Sequence, residues 1–117
     1  MSDLRHISTN TVDDICVVHL LDNRIVDDIN IYELGIELFA LVEQNGFTKI
    51  LLNFTNVGFL SSAALGKLIM LYKKVAVRNG MLKLCNIAPD IRELFTMMNL
   101  DRIFTICTNE ADALATF

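Results

Sequence analysis

The sequence has no tryptophan, a single proline and no long uninterrupted run of apolar residues. Because Pro89 is its only proline, the chain has no proline-rich linker. A membrane-spanning helix needs roughly 18 consecutive apolar residues, and no segment approaches that length. Residues 1–6 also lack the charged-then-apolar order of a signal peptide. These absences predict a protein that stays in the cytoplasm.

Basic residues are outnumbered in this chain. Ten lysines and arginines stand against fourteen aspartates and glutamates, which gives a formal net charge of -4 at pH 7. This balance disfavours nonspecific attraction to nucleic acid or anionic lipid, although it leaves room for a local basic patch. We therefore expect a protein partner, and neither a nucleic acid nor a membrane.

Cysteine is limited to three positions, Cys16, Cys85 and Cys107, each within an apolar run. No pair has the spacing of a metal site, and the two histidines, His6 and His19, lie elsewhere in the sequence. We interpret the cysteines as reduced core thiols. The sequence accordingly predicts no metal and no cofactor.

Apolar residues, by contrast, make up 53% of the chain, enough for the core of one domain spanning residues 1–117. Two β-like runs, 4–12 and 15–21, flank the pair Asp13-Asp14 and predict a hairpin. Apolar periodicity and turn residues divide the remainder into strands and helices. The further predicted strands are 49–54, 81–85 and 103–106; the predicted helices are 28–45, 62–79, one beginning at Pro89 and a last segment at 109–115.

This order of elements predicts an α/β fold. Strands that alternate with helices after a hairpin favour a mostly parallel sheet of four or five strands, with an antiparallel N-terminal edge strand and about four helices. The helix at 62–79 has a basic outer stripe, Lys67, Lys74 and Arg78, which is either a solvated face or part of a partner surface. Its predicted inward residues are Leu65, Leu68, Ile69, Tyr72, Val75 and Ala76.

Two adjacent serines, Ser61 and Ser62, open that helix shortly after a predicted central strand. Open α/β sheets usually carry their sites at this end of a strand. One serine suffices to cap a helix, so the second exceeds what a cap needs. A phosphoryl group here would add about -1.5 to -2 charge beside backbone N–H donors. The pair is therefore either a simple helix cap or the acceptor of a phosphorylation switch.

Enzyme motifs are missing around the serines. No Gly-x-Ser-x-Gly surrounds them, and His19 is expected to be packed or paired at the end of its strand. A phosphate-binding Gly-rich loop is also missing, and Asn53 stands where a receiver domain would carry its phosphoacceptor aspartate. We predict a protein that binds and does not catalyse.

The run from Phe59 to Gly66, Phe-Leu-Ser-Ser-Ala-Ala-Leu-Gly, resembles the signature of the STAS domain, found in anti-sigma-factor antagonists. The resemblance covers almost the whole chain, from the N-terminal strand pair through 51–54 to 80–86 and 98–104. It implies a protein that binds a kinase-type anti-sigma factor while unphosphorylated and so releases the sigma factor. The kinase brings its own ATP, and the resemblance is also compatible with a phosphatase partner and with a dimer.

The resemblance also implies site residues. With Leu65 and Gly66 aligned to the family's Leu-Gly, Ser62 matches the phosphoacceptor, Ser61 falls where many members have aspartate, and Ala64 replaces a glycine. An alignment that ignores this frame puts Ser61 at the acceptor position instead. The implied partner-binding residues are Asp27, Asn53, Gly58, Phe59, Leu60, Ser61, Ala63, Gly66 and Lys67.

Two alternatives stay open. Asp27 is equally well explained as a simple helix-entry residue. The departures at Ser61 and Ala64 leave room for a STAS module that is never phosphorylated and serves as a scaffold or a ligand-binding subunit of a signalling complex.

Overall fold

Strands and helices alternate along the chain after an N-terminal hairpin, and the structure, a computed structural model, describes residues 4–117. The strands are β1 (Ile7–Val12), β2 (Ile15–Leu20), β3 (Arg24–Ile25), β4 (Lys49–Asn53), β5 (Phe59–Leu60), β6 (Met81–Cys85) and β7 (Thr105–Cys107). The helices are α1 (Asp28–Glu43), α2 (Ser62–Val77), α3 (Pro89–Met97) and α4 (Glu110–Ala115), with a 3-10 turn at Leu100–Arg102.

Five of the strands form one sheet in the order β1-β2-β4-β6-β7. β1 pairs with β2 antiparallel through a turn in which Asp13 has a φ of 56°, and the other neighbours are parallel. The predicted fold class is confirmed, including the antiparallel edge strand at the N-terminus. The serine pair follows β4, a central strand, as expected.

Apolar side chains cover the sheet on both faces. The larger cluster joins Ile50 and Leu52 of β4 to α1, α2 and α3, and the smaller one joins Leu51 to Ala113 of α4. Successive residues of a strand point to opposite faces, so a central strand covered on both sides needs an unbroken apolar run. The sequence of β4 is explained by this position.

The structure also departs from the sequence prediction in detail. The last strand is β7, two residues later at its start than predicted, because Leu100–Arg102 form a 3-10 turn that Ile103 closes. On α2, Ala76 is exposed, although periodicity placed it inward, and Leu71 is buried instead. β3 and β5 form a separate two-residue parallel ladder, which the sequence did not predict.

All three cysteines are free thiols, with Cys16 and Cys85 buried and Cys107 half-buried. Within residues 4–117, no helix has the length and apolar character needed to cross a membrane.

Candidate functional site

Both the backbone and the side chain of Ser61 form hydrogen bonds within the fold. Its N–H donates to the carbonyl of Ile25 at 3.0 Å, which continues the β3–β5 ladder by one bond. Its φ of -80° and ψ of 164° are extended, and its hydroxyl accepts the backbone N–H of Ala64 at 3.2 Å. This is the geometry of a helix N-cap. Ser61 is therefore the residue that starts α2.

Ser62 is the first residue of α2 and lies exposed. Among residues 4–117, no group forms a hydrogen bond with its hydroxyl. The first turn of α2 carries no acidic residue, whereas α1, α3 and α4 each carry at least one there. The free N–H groups at a helix start favour negative charge. A phosphoryl group on Ser62 would meet these donors without an acidic neighbour in that turn.

The segment that leads to the serines, residues 54–61, is here called the serine loop. The carbonyl of Asn23 accepts N–H groups from Gly58 at 2.8 Å and from Phe59 at 3.0 Å. The Asn23 side-chain amide donates to the carbonyl of Asn56 at 3.0 Å. A Cβ atom on Gly58 would lie 2.9 Å from the Nδ2 atom of Asn23, so a side chain at position 58 would displace the Asn23 amide from its place. Asn23 thus fixes the middle of the loop.

Phe59 and Leu60 point in opposite directions. The Phe59 ring is 54% exposed and lies under the guanidinium of Arg24, 4.5 Å from the ring centroid. Leu60 is buried in the main core beside its ladder partner Ile25. Leu60 was among the predicted partner-binding residues; strand alternation turns its side chain inward here, and its part in partner binding stays a prediction.

Asn53, at the end of β4, is only 6% exposed and has both ends of its side chain occupied. Its amide donates to Oε1 of Glu110 at 3.0 Å, and its Oδ1 accepts the N–H of Thr55 at 2.8 Å and the Thr55 hydroxyl at 2.5 Å. Glu110 also lies 3.2 Å from Nε2 of His19, which confirms the predicted pairing of that histidine. Asn53 was predicted to bind the partner, and that role stays a prediction; in this structure its side chain organises the loop start beside α4.

Asp27 is the N-cap of α1. Its Oδ1 accepts the N–H groups of Ile29 at 2.9 Å and Asn30 at 3.3 Å. The helix-entry interpretation is confirmed. The residue is also exposed, so its second carboxylate oxygen faces solvent near the start of α1.

The basic stripe of α2 faces α1 rather than open solvent. The Nζ atom of Lys67 lies 6.0 Å from the ring centroids of both Tyr32 and Phe39. Lys74 forms an ion pair with Glu43 at 2.9 Å, and Arg78 donates to the carbonyl of Val42 at 2.8 Å. These contacts join the stripe to α1, while Arg78 remains exposed, and the part of Lys67 in partner binding stays a prediction. Periodicity showed that the three cations share a face, but it does not reveal which helix lies opposite.

A model of the STAS domain matches residues 6–113. The chain belongs to the STAS domain family. An anti-sigma F factor antagonist of Paenibacillus polymyxa is 32% identical over 73 residues, which span 62% of each protein and so less than two thirds of that relative. BtrV of Bordetella bronchiseptica, assigned as an anti-sigma factor antagonist, is 29% identical over 93 residues, 80% of this chain and 79% of that protein.

Solved STAS structures share this fold. A Thermotoga maritima protein assigned as an anti-sigma factor antagonist has a TM-score of 0.82 and 25% identity, with 93% of this chain and 92% of that one covered. The phosphorylated form of SpoIIAA from Bacillus has a TM-score of 0.70 and 20% identity, with 93% and 96% covered. The second likeness shows the fold alone.

Two small residues of the STAS motif lie on the accessible part of α2. Ala63 is exposed, and Gly66 is half-buried. A Cβ atom on Gly66 would meet nothing within 4 Å. Glycine inside a helix is less favourable than alanine by about 1 kcal/mol. Packing within the chain gives no reason for a glycine at position 66.

Sequence patterns missed several apolar residues that the STAS fold leaves exposed at the start of α1 and just before it. Ile29 is 69% exposed and Tyr32 is 63% exposed, and Val26 precedes them in the connection from β3. Ile29 and Tyr32 share α1 with acidic residues, so the sequence indicated only that the outer side of α1 is acidic. Within the sequence of α1, the position of Ile29 off the main apolar stripe is the one feature that indicates its exposure.

No three His, Cys, Asp or Glu side chains in the described part of this STAS domain are grouped so that they could hold a metal ion. Burial raises the pKa of Cys16 to about 11, and burial, with the charge of Glu110 and the neighbouring Cys107, raises the pKa of Cys85 to about 12. Neither thiol has the lowered pKa typical of a nucleophilic cysteine.

Proposed function

We propose that this chain is an anti-sigma factor antagonist that acts as one STAS domain, by binding and not by catalysis. The support is the family membership together with the names of the relatives from Paenibacillus and Bordetella. The partner is an anti-sigma factor of the serine-kinase type, which brings its own ATP, and a phosphatase would restore the unphosphorylated form.

Ser62 is the phosphoacceptor in this proposal. The observation that carries the assignment is the division between the two serines: the Ser61 hydroxyl is engaged by the N–H of Ala64, while the hydroxyl of Ser62 is exposed and unbound. A kinase needs an accessible hydroxyl group, and Ser62 offers one that takes no part in capping the helix. The positive end of α2 tolerates the added charge, so the domain stays folded after phosphorylation.

The partner surface consists of exposed residues around Ser62. Phe59, Ala63 and Gly66 contact the partner directly, and Ile29 and Tyr32 extend the surface along α1. The absence of a side chain at Gly66 lets the partner's backbone approach α2 closely. A phosphate of about -1.5 to -2 charge in the middle of this largely apolar surface must be desolvated on binding, so it abolishes the complex.

The remaining predicted residues hold in place the loop and the helices that carry this surface. Asn53 and Gly58 shape the serine loop, Leu60 anchors it in the core, and Asp27 starts α1. Lys67 holds α1 against α2 through Tyr32, although its ammonium group stays half-exposed.

Phosphorylation in vitro tests the proposal. The purified chain is incubated with ATP and a histidine-kinase-like ATPase encoded beside its gene, and its intact mass is measured. We expect one phosphoryl group on the wild type and on Ser61→Ala, and none on Ser62→Ala. Unmodified mass with every such neighbouring kinase contradicts the switch, and phosphate on Ser62→Ala but not on Ser61→Ala moves the acceptor to Ser61.

Binding is tested separately. By calorimetry with the same kinase, Ser62→Ala binds as the unmodified wild type does, and Ser62→Asp binds more weakly through charge. Equal affinities for the two variants would show that charge at position 62 does not control the complex.

A further inference from the structure

His6 is a buried histidine whose two ring nitrogens both face carboxylates. It lies immediately before β1 and is 5% exposed. Its Nδ1 atom is 2.5 Å from Oδ2 of Asp22, and its Nε2 atom is 2.9 Å from Oε1 of Glu33. A neutral imidazole carries one N–H and cannot donate to both partners, whereas the imidazolium can. The geometry therefore fits the protonated ring.

Three acidic groups surround this ring. Asp22 belongs to the connection after β2, and Glu33 and Glu37 project from α1. The Glu37 carboxylate also accepts the backbone N–H groups of Arg5, His6 and Ile7 at distances between 3.0 and 3.3 Å. Burial acts to lower the pKa of His6, but the hydrogen bonds to Glu33 and Asp22 and the charges of Asp22 and Glu37 outweigh it and raise the pKa above its usual value of 6.5.

A short covalent and hydrogen-bonded path leads from His6 to Ser61, the residue before the proposed phosphoacceptor. Asp22 precedes Asn23, whose carbonyl holds Gly58 and Phe59, and Ile25 accepts the N–H of Ser61 at 3.0 Å. The 22–25 segment thus connects the histidine at one end to the serine loop at the other. Within the part of the chain that the structure describes, β3, which contains the last two residues of this segment, pairs with β5 alone. Because so short a ladder has few bonds of its own, its position depends on how the segment is anchored.

We propose that His6 and Asp22 form a positioning pair for the serine loop, in which the protonated imidazole anchors the 22–25 segment and thereby holds Gly58, Phe59 and Ser61 in place. When the proton leaves, one ring nitrogen loses its N–H and turns a lone pair toward a carboxylate, so the hydrogen bond to Asp22 or the one to Glu33 is lost. The bond that remains is no longer between two charged groups, so the contact with Asp22 weakens in either case. The 22–25 segment then loosens, and the loop that it holds loosens with it. Presentation of Ser62 is therefore sensitive to pH.

The consequence for phosphorylation rests on the proposed function. If Ser62 is the acceptor, its rate of phosphorylation falls as pH rises through the pKa of His6, by more than the kinase's own pH dependence measured on another substrate. The positioning itself is a property of the chain alone, so it is tested without a kinase. A failure to phosphorylate Ser62 would leave the positioning claim unaffected.

Amide hydrogen exchange, read by NMR on the full chain, tests the positioning. Protection factors for Gly58, Phe59 and Ser61 are measured from about pH 6 to about pH 9, corrected for intrinsic exchange, while the imidazole signals of His6 report its titration. We expect these protection factors to fall about ten-fold as His6 deprotonates, because the anchor loses a charged hydrogen bond. The amide of Met81, which donates to Thr48 at 2.7 Å at the far end of β4, serves as the internal control.

Two variants and one control complete the test. His6→Gln and Asp22→Ala should each lower protection at the three loop amides and remove its pH dependence. His19→Gln, which removes a histidine with a single carboxylate contact, should leave the exchange at all three as it is in the wild type. If His6→Gln does not fold, the wild-type pH series and Asp22→Ala decide the question. Protection that stays constant while His6 titrates, or unchanged loop exchange in folded Asp22→Ala, overturns the proposal.

Discussion

The hydroxyl of Ser61 accepts the backbone N–H of Ala64 at 3.2 Å, and this contact gives the two adjacent serines different structural roles. Ser61 satisfies one of the free N–H groups at the start of α2, which a helix otherwise leaves to solvent. Ser62 stands one residue further on, with its side chain in solvent. Substitution of Ser61 should therefore change the stability of the chain, and substitution of Ser62 should change its phosphorylation.

The first prediction concerns stability at this helix start. Ser61→Ala removes the N-cap and should lower the free energy of unfolding by about 1 kcal/mol. Ser62→Ala removes an exposed hydroxyl and should change it by less than about 0.5 kcal/mol. Urea denaturation followed by circular dichroism measures both. An equal loss in the two variants would mean that Ser62 shares in the cap.

A second prediction follows from the open space around Gly66. Because an added Cβ meets nothing within 4 Å, Gly66→Ala should raise the free energy of unfolding by about 1 kcal/mol. The same variant should weaken binding to the kinase partner, since the methyl group occupies the surface that the partner approaches. Gly58→Ala is the contrasting variant, because its Cβ would lie 2.9 Å from Asn23, and it should destabilise the chain. Unchanged affinity in Gly66→Ala would remove this residue from the interface.

The third prediction concerns Asn53. Asn53→Ala leaves Glu110 without its amide donor and frees the N–H of Thr55, so it should lower the free energy of unfolding by about 2 kcal/mol. Thr55→Val, which removes only the hydroxyl contact and keeps the backbone bond, should lower it by about 1 kcal/mol or less. Thermal denaturation of the two variants checks the order. Comparable stability of Asn53→Ala and wild type would show that the buried network contributes little.

Stability should depend on pH through His6. Its folded-state pKa lies above the unfolded value of 6.5, so the stabilisation is fully present below that value and is lost as pH rises through the folded-state pKa. In His6→Gln this decline should disappear, and stability at acidic pH should be lower by about 2 kcal/mol because charged hydrogen bonds are missing. Chemical denaturation at a series of pH values measures the slope, with His19→Gln as the control. A wild-type curve without this decline would place the pKa of His6 at its ordinary value.

The thiols give a fifth prediction. With pKa values of about 11 and about 12, Cys16 and Cys85 remain protonated and buried near neutral pH. Iodoacetamide should therefore modify the half-buried Cys107 first in the folded protein, and all three thiols in urea. Peptide mass spectrometry after brief labelling identifies the site. Faster modification of Cys85 than of Cys107 would contradict this burial pattern.

Much of the fold follows from local sequence. Apolar periodicity located the long helices, and the unbroken run of β4 identified a strand covered on both faces. The two-residue ladder of β3 and β5 was missed because two residues carry no period. Ile103 was assigned to a strand because its side chain suits one, while the 3-10 turn before it is fixed by tertiary packing.

The site was less accessible from sequence, since its contacts join distant segments. The run from Phe59 to Gly66 pointed to the serines, and its Leu-Gly frame pointed to Ser62 as the acceptor. Which serine caps α2 depends on one hydrogen bond that the sequence does not show. His6 and Asp22 are 16 residues apart, and His6 and Glu33 are 27 apart, so no local pattern connects them. The contact of Lys67 with Tyr32 likewise depends on how α1 and α2 pack together, which no local pattern shows.

At the start of α2, Ser61 caps the helix and its neighbour Ser62 is the proposed phosphoacceptor. This separation of roles affects how such a domain can evolve. Because the cap is supplied by Ser61, the codon for position 62 is free to vary without loss of the fold. Under the proposed function, a gene copy with alanine there is a permanently active antagonist, and one with aspartate is a permanently silent one. Regulation at this site can then be gained or lost by a single substitution, while the scaffold is inherited unchanged.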